Sequence, residues 1–167
     1  ALFGLLLKEK ITESGTIIVV AVGFAATGVI LLFSEYFPQS KKMAHTGPMR
    51  ALLIGCAQVF ALIPGISRAG ITISAGRAAG LSRAEALDFS FLMAVPVIAG
   101  ANILLVFDVW NGDVFFPSID IVLTGLLAST AVSVLAILFL RRFVVAHSLA
   151  WFAAYLLPLA GALLILE

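Results

Sequence analysis

The sequence predicts an all-α protein threaded several times through a membrane, on three observations. Of 167 residues, 62% are hydrophobic and 11% charged, where a soluble domain carries roughly 25% charged residues. Mean hydropathy is +1.18, and a soluble fold of this length has too little interior to hide so much apolar surface. Four stretches approach or exceed the roughly 20 apolar residues that cross a bilayer, and a fifth apolar region is interrupted by Pro64-Gly65.

Taken in chain order, Ala1 to Leu7 reads as the tail of an earlier span. With no start methionine or charged leader at Ala1, the chain is expected to be a single membrane domain, residues 1–167, and a fragment whose N-terminal portion is missing. The first full span runs from about Thr16 to Ser34. The region from Met49 to Gly80 holds two apolar halves of about fifteen residues around Pro64-Gly65, each too short to cross alone. Together they predict a re-entrant helical hairpin, with irregular backbone tolerated only where protein or a wet cavity surrounds it. Further spans are expected at about Ala84 to Phe107, Ile119 to Leu140 and Ser148 to Leu166. Ser82 followed by Glu85 is a capping-box pattern opening the first of these. Pro117-Ser118 suits the start of the next, and Pro96 and Pro158 are kinks that membrane helices accept.

Charge distribution supports re-entry. If the hairpin returns to its own side, Lys41, Lys42, Arg50, Arg77, Arg83, Arg141 and Arg142 share one face. The other face keeps Lys8 and Lys10 with the acidic loop of Asp108, Asp113 and Asp120. That asymmetry satisfies the positive-inside rule. A full span in place of the hairpin would set Arg141 and Arg142 opposite Lys41 and Lys42.

The break carries the chemistry. Proline disfavours helical geometry before it and glycine permits the turn. Ser67 can cap a second half-helix beginning near Arg68, Ala69 and Gly70, whose N–H groups attract anions. Arg68 adds a permanent cation with fork geometry suited to phosphate oxygens. Ser67 and Thr72 offer hydroxyls, Gly70 lets a ligand approach, and Gln58 is a polar partner six residues before Pro64. An ionisable residue at membrane depth is functional by default.

The remaining polar groups have plainer roles. Cys56 is expected as a small core residue, and a lone cysteine excludes a disulfide framework. His45 and His147 show no metal-binding spacing. Glu85 and Asp88 suit a first helical turn, Arg77 and Arg83 suit the membrane surface, and Gly76 with Gly80 suits tight helix packing. A net charge of +1 without a basic block gives no sign of nucleic acid binding.

The stretches "GCAQVFALIPGISRAGITISAG" and "FSFLMAVPVIAGA" resemble the second signature region of the undecaprenyl-diphosphate phosphatases, or bacitracin resistance proteins. The family pattern has a glutamine, then P-G-x-S-R-S-G-x-T, then an F-S-F-L-x-A-V-P helix. It matches at Gln58, Pro64, Gly65, Ser67, Arg68, Gly70 and Thr72, then from Phe89 through Pro96.

The resemblance implies a multi-pass protein of the bacterial cell membrane, of which this chain is the second half of an inverted-repeat architecture. It implies hydrolysis of undecaprenyl diphosphate to the monophosphate carrier of peptidoglycan precursors, assisted by magnesium or calcium. Arg68 and Ser67 are then the catalytic candidates, with Thr72, Gly65, Gly70 and Gln58 on the substrate. Metal ligands are expected upstream of Ala1, because no E-x-x-x-E stretch with S-S-T-G-H occurs here. Expected partners are the polyprenyl diphosphate and membrane lipids, with a homodimer as one option for assembly. Two further departures are Ala69 in place of a serine and Tyr155-Leu156 in place of Tyr-Arg. A carrier or flippase for isoprenoid phosphates, and a subunit pairing Arg68 with a partner's carboxylate, are the alternatives.

Overall fold

A computed structural model describes residues 17–38, 47–112, 114 and 116–165. Among these residues all regular structure is helical: α1 (Ile17–Ser34), α2 (Pro48–Ala57) with a 3₁₀ continuation Gln58–Leu62, α3 (Arg68–Ala78), α4 (Arg83–Asn111), α5 (Ile119–Ala146) and α6 (Ala150–Ile165). Three of them, α1, α4 and α5, are long and apolar enough to cross a membrane. The fourth expected span is α6, a shorter apolar helix of 16 residues, or about 24 Å at 1.5 Å per residue. Both internal prolines are accommodated, Pro96 within α4 and Pro158 within α6.

Local sequence explains the boundaries. Ile63 is extended (φ −75°, ψ 126°), as the residue before proline must be. Pro64 and Gly65 (φ +84°) then form the centre of a turn closed by Ile66 N–H donating to the Ile63 carbonyl at 3.1 Å. Proline followed by a positive-φ glycine is the type II pattern. Helix α3 ends at Gly80 (φ +94°), where Leu81 N–H bonds the Gly76 carbonyl and Gly80 N–H the Arg77 carbonyl. That pair is a Schellman cap. Gly80 is therefore a turn residue and not half of a packing stripe, whereas Gly76 does pack. A Cβ there would lie 3.0 Å from that of Ala86. The Ser82–Glu85 capping box forms reciprocally at the head of α4.

The two arms around the break, α2 with its 3₁₀ turn and α3, pack on each other as a hairpin. Helix α1 packs most extensively on α6 and also touches α3, which in turn lies on α4. A buried cluster of Leu31, Ile54, Ile73, Leu81, Leu87, Val144 and Leu149 joins these elements. Outward, α4 and α5 present apolar side chains such as Val95, Val106, Leu127, Val132 and Phe139, a surface that calls for lipid or apolar protein and not water.

Two expectations change with the tertiary structure. Cys56 is exposed, on the same open side of the hairpin as Leu52, Leu53 and Phe60. Arg77 and Arg83 do not reach for lipid headgroups. Arg77 is 1% exposed and donates to the Leu81 and Phe37 carbonyls at 2.9 and 2.8 Å, while Arg83 is ion-paired with Glu35. His147 closes α5 and stacks on Phe143, 4.5 Å between centroids. Asp88 pairs with Arg141 at 3.1 Å across α4 and α5. Lys8, Lys10, Lys41, Lys42, His45, Asp113 and the Ala1 to Leu7 stretch lie outside the described residues.

Candidate functional site

The break between α2 and α3 gathers most of the polar groups singled out above. Ser67 caps α3, its hydroxyl accepting from Gly70 N–H at 3.1 Å. Ile71 N–H bonds the Ser67 carbonyl at 2.9 Å. The N–H groups of Arg68 and Ala69, between Ser67 and Gly70, find no acceptor among the described residues. Open donors at a helix start attract anions.

Arg68 stands beside them, half-buried. Its Nε and Nη2 donate to the Gln58 side-chain oxygen at 3.0 and 2.8 Å. The 3₁₀ turn carrying Gln58 thus fixes the guanidinium from the opposite arm of the hairpin. A neutral acceptor orients the arginine without cancelling its charge, and among the described residues no acceptor takes its three other N–H bonds.

Thr72 takes a different position from the one the sequence suggests, and the two glycines have a packing role as well. Thr72 is 1% exposed, and its hydroxyl meets Ser90 at 2.7 Å and the Arg68 carbonyl at 3.0 Å. It faces α4, away from the break, and braces the helix that carries Arg68. Gly65 and Gly70 are small because α1 is close. A Cβ on Gly65 would lie 2.2 Å from the Val20 carbonyl oxygen, and one on Gly70 would lie 2.8 Å from the Thr27 methyl.

Helix α1 is the seat of the break, a role the sequence reading missed. Gly23 lies under Pro64 and Gly65, where a Cβ would come within 2.5 Å of the Pro64 oxygen. One turn later Thr27 donates to the Gly23 carbonyl at 2.9 Å and accepts from Ser67 N–H at 3.0 Å. The sequence signal was a threonine and glycines in an otherwise apolar span, "VGFAATG".

Glu35, also missed, closes the other end. It accepts from Arg83 and, at 2.7 Å, from Leu149 N–H, joining the end of α1 to the starts of α4 and α6. Burial pushes its carboxyl up, but the Arg83 hydrogen bond, the Leu149 amide and the Arg83 and Arg77 charges outweigh that. The group lies below its ordinary value.

A cavity of about 270 Å³ opens beside the break, lined by Ser67, Ala69, Gly70, Phe152, Tyr155 and Leu156 among others. Two departures from the family pattern, Ala69 and Leu156, are therefore cavity residues. A larger cavity of about 460 Å³ lies at the far end of the hairpin beside Arg50 and Gly80 and holds none of the break's groups. Among the described residues no three His, Cys, Asp or Glu side chains gather as a metal site would need.

The sequence profile of bacitracin resistance protein BacA matches residues 1–162. An undecaprenyl-diphosphatase of Pelotomaculum thermopropionicum is 37% identical, over 99% of this chain and 62% of its own length. One of Rhodopirellula baltica is 39% identical over 84% of this chain and 55% of its own. One of Rubrobacter xylanophilus is 40% identical over 89% and 56%. The chain thus spans a little over half the length of these relatives. With a profile matched along nearly its whole length and the P-G-x-S-R motif standing at the helix break, the chain belongs to the bacitracin resistance protein BacA family.

Proposed function

We propose that this chain supplies the arginine half of a site that hydrolyses undecaprenyl diphosphate to undecaprenyl phosphate and phosphate in the bacterial cell membrane. The observation that carries the proposal is the pairing of an oriented Arg68 with open N–H groups at the start of α3. Phosphoryl transfer asks mainly for positioning and for donors aimed at developing charge. Arg68 would grip the diphosphate oxygens, and the Arg68 and Ala69 amides would complete the cradle. Ser67, Gln58 and Thr72 would hold these donors in place.

The apolar lining of the adjacent cavity suits the first isoprene units. In this reading α2 and α3 form a re-entrant pair, α6 serves as a fourth crossing, and the chain is one half of an inverted repeat. The nucleophile and the ligands of a magnesium or calcium ion are assigned to residues beyond those described here.

The test is phosphate release from undecaprenyl diphosphate by the full-length protein in micelles. Arg68→Ala should abolish turnover while leaving membrane insertion intact. Near-normal release by that variant would sink the proposal. Diphosphate binding by the wild type without any release, under conditions where a related phosphatase is active, would favour carriage of an isoprenoid phosphate instead.

A further inference from the structure

We propose that Thr27 is a positioning residue for the anion site, fixing the start of α3 and with it Arg68; the inference rests on the break being the ligand site. Thr27 is fully buried and makes three contacts in the break's neighbourhood with one small side chain. Its hydroxyl proton goes to the Gly23 carbonyl at 2.9 Å, so toward Ser67 N–H, at 3.0 Å, it can act only as acceptor. Its methyl fills the space above Gly70, where a Cβ would come within 2.8 Å of it. The first and fourth residues of the cap are thus both held against α1.

The contact also decides which donors face a ligand. Ser67 N–H goes to Thr27 and Gly70 N–H to the Ser67 hydroxyl. The Arg68 and Ala69 amides remain, adjacent in sequence and next to the guanidinium. Without the Thr27 acceptor, the Ser67 amide becomes a buried, unpaired donor. The chain relieves that state by shifting the cap or turning the amide toward the ligand. Either response moves Arg68 relative to the phosphate. Thr27 itself touches no ligand.

The test uses the full-length protein in micelles, with Thr27→Val (same shape, no acceptor) and Thr27→Ser (acceptor kept, methyl lost). Inorganic diphosphate binding is measured by calorimetry, kcat and KM from phosphate release, and folding from the thermal unfolding midpoint. Thr27→Val should weaken diphosphate binding and lower kcat, by up to about a hundredfold for a displacement near 1 Å. Thr27→Ser should recover both. If Thr27→Val lowers only the unfolding midpoint and the folded protein binds and turns over as the wild type does, the residue is merely structural and the inference is overturned. A wild type that binds diphosphate but releases no phosphate defeats the phosphatase proposal alone. The binding contrast between Val and Ser still decides Thr27.

Discussion

Replacing Gly23 by alanine is the sharpest perturbation of the packing that seats the break. The added Cβ would lie 2.5 Å from the Pro64 oxygen and 2.7 Å from the Gly65 carbonyl carbon, whereas ordinary contact begins at 3.4 Å. Both neighbours are backbone of a tight turn, so no side chain can swing aside. Helix α1 or the turn must withdraw by roughly 1 Å to regain normal van der Waals separation. A shift of that size stretches the 3.0 Å bond from Ser67 N–H to Thr27 beyond hydrogen-bonding range. Overpacking costs about 1–3 kcal/mol, against which alanine returns up to about 1 kcal/mol of helix propensity.

The internal control is Gly125 in α5, where an added Cβ meets nothing within 4 Å. Unfolding of the full-length protein in micelles, followed by helical circular dichroism, should show Gly23→Ala less stable than wild type and Gly125→Ala equal or more stable. Equal midpoints for the two variants would refute the claim that α1 and the break are in backbone contact.

Other predictions follow from the hydrogen bonds. The depressed Glu35 carboxyl contributes stability that is fully present above its ordinary value of 4.5 and lost as pH falls through the lower folded value. Glu35→Gln should therefore flatten the acid limb of a stability-against-pH curve, and an unchanged limb would count against the clamp. Gln58→Glu keeps an acceptor for Arg68 but places a negative charge beside the proposed anion site. Inorganic diphosphate affinity should fall about tenfold or more, and unchanged affinity would place the ligand elsewhere. Ser82→Ala removes one side of the capping box and should cost about 0.5–2 kcal/mol of stability with kcat unaffected.

Sequence alone determined the all-helical class, the break at Pro64-Gly65, the Ser67 cap and the Ser82–Glu85 box. These are set by neighbours within about four residues, so proline geometry, a positive-φ glycine and side-chain caps express them without help from the rest of the chain. A polar partner for Gln58 across the break was legible for a related reason, since ten residues and one turn separate the two arms of a hairpin; that the partner is Arg68 came from the structure.

Only the tertiary structure decided what Gly23, Thr27 and Glu35 do. Gly23 meets Pro64 and Gly65, Thr27 meets Ser67 40 residues on, and Glu35 meets Arg83 and Leu149, 48 and 114 residues on. No spacing rule links positions that meet only when α1 lies against α3 and α6. The same packing turned Thr72 toward Ser90, withdrew Arg77 from the surface and left Cys56 exposed. In a chain that is apolar on every face, composition cannot say which side of a helix meets protein and which meets lipid. That choice falls to close backbone approach at small residues and to a few buried hydrogen bonds.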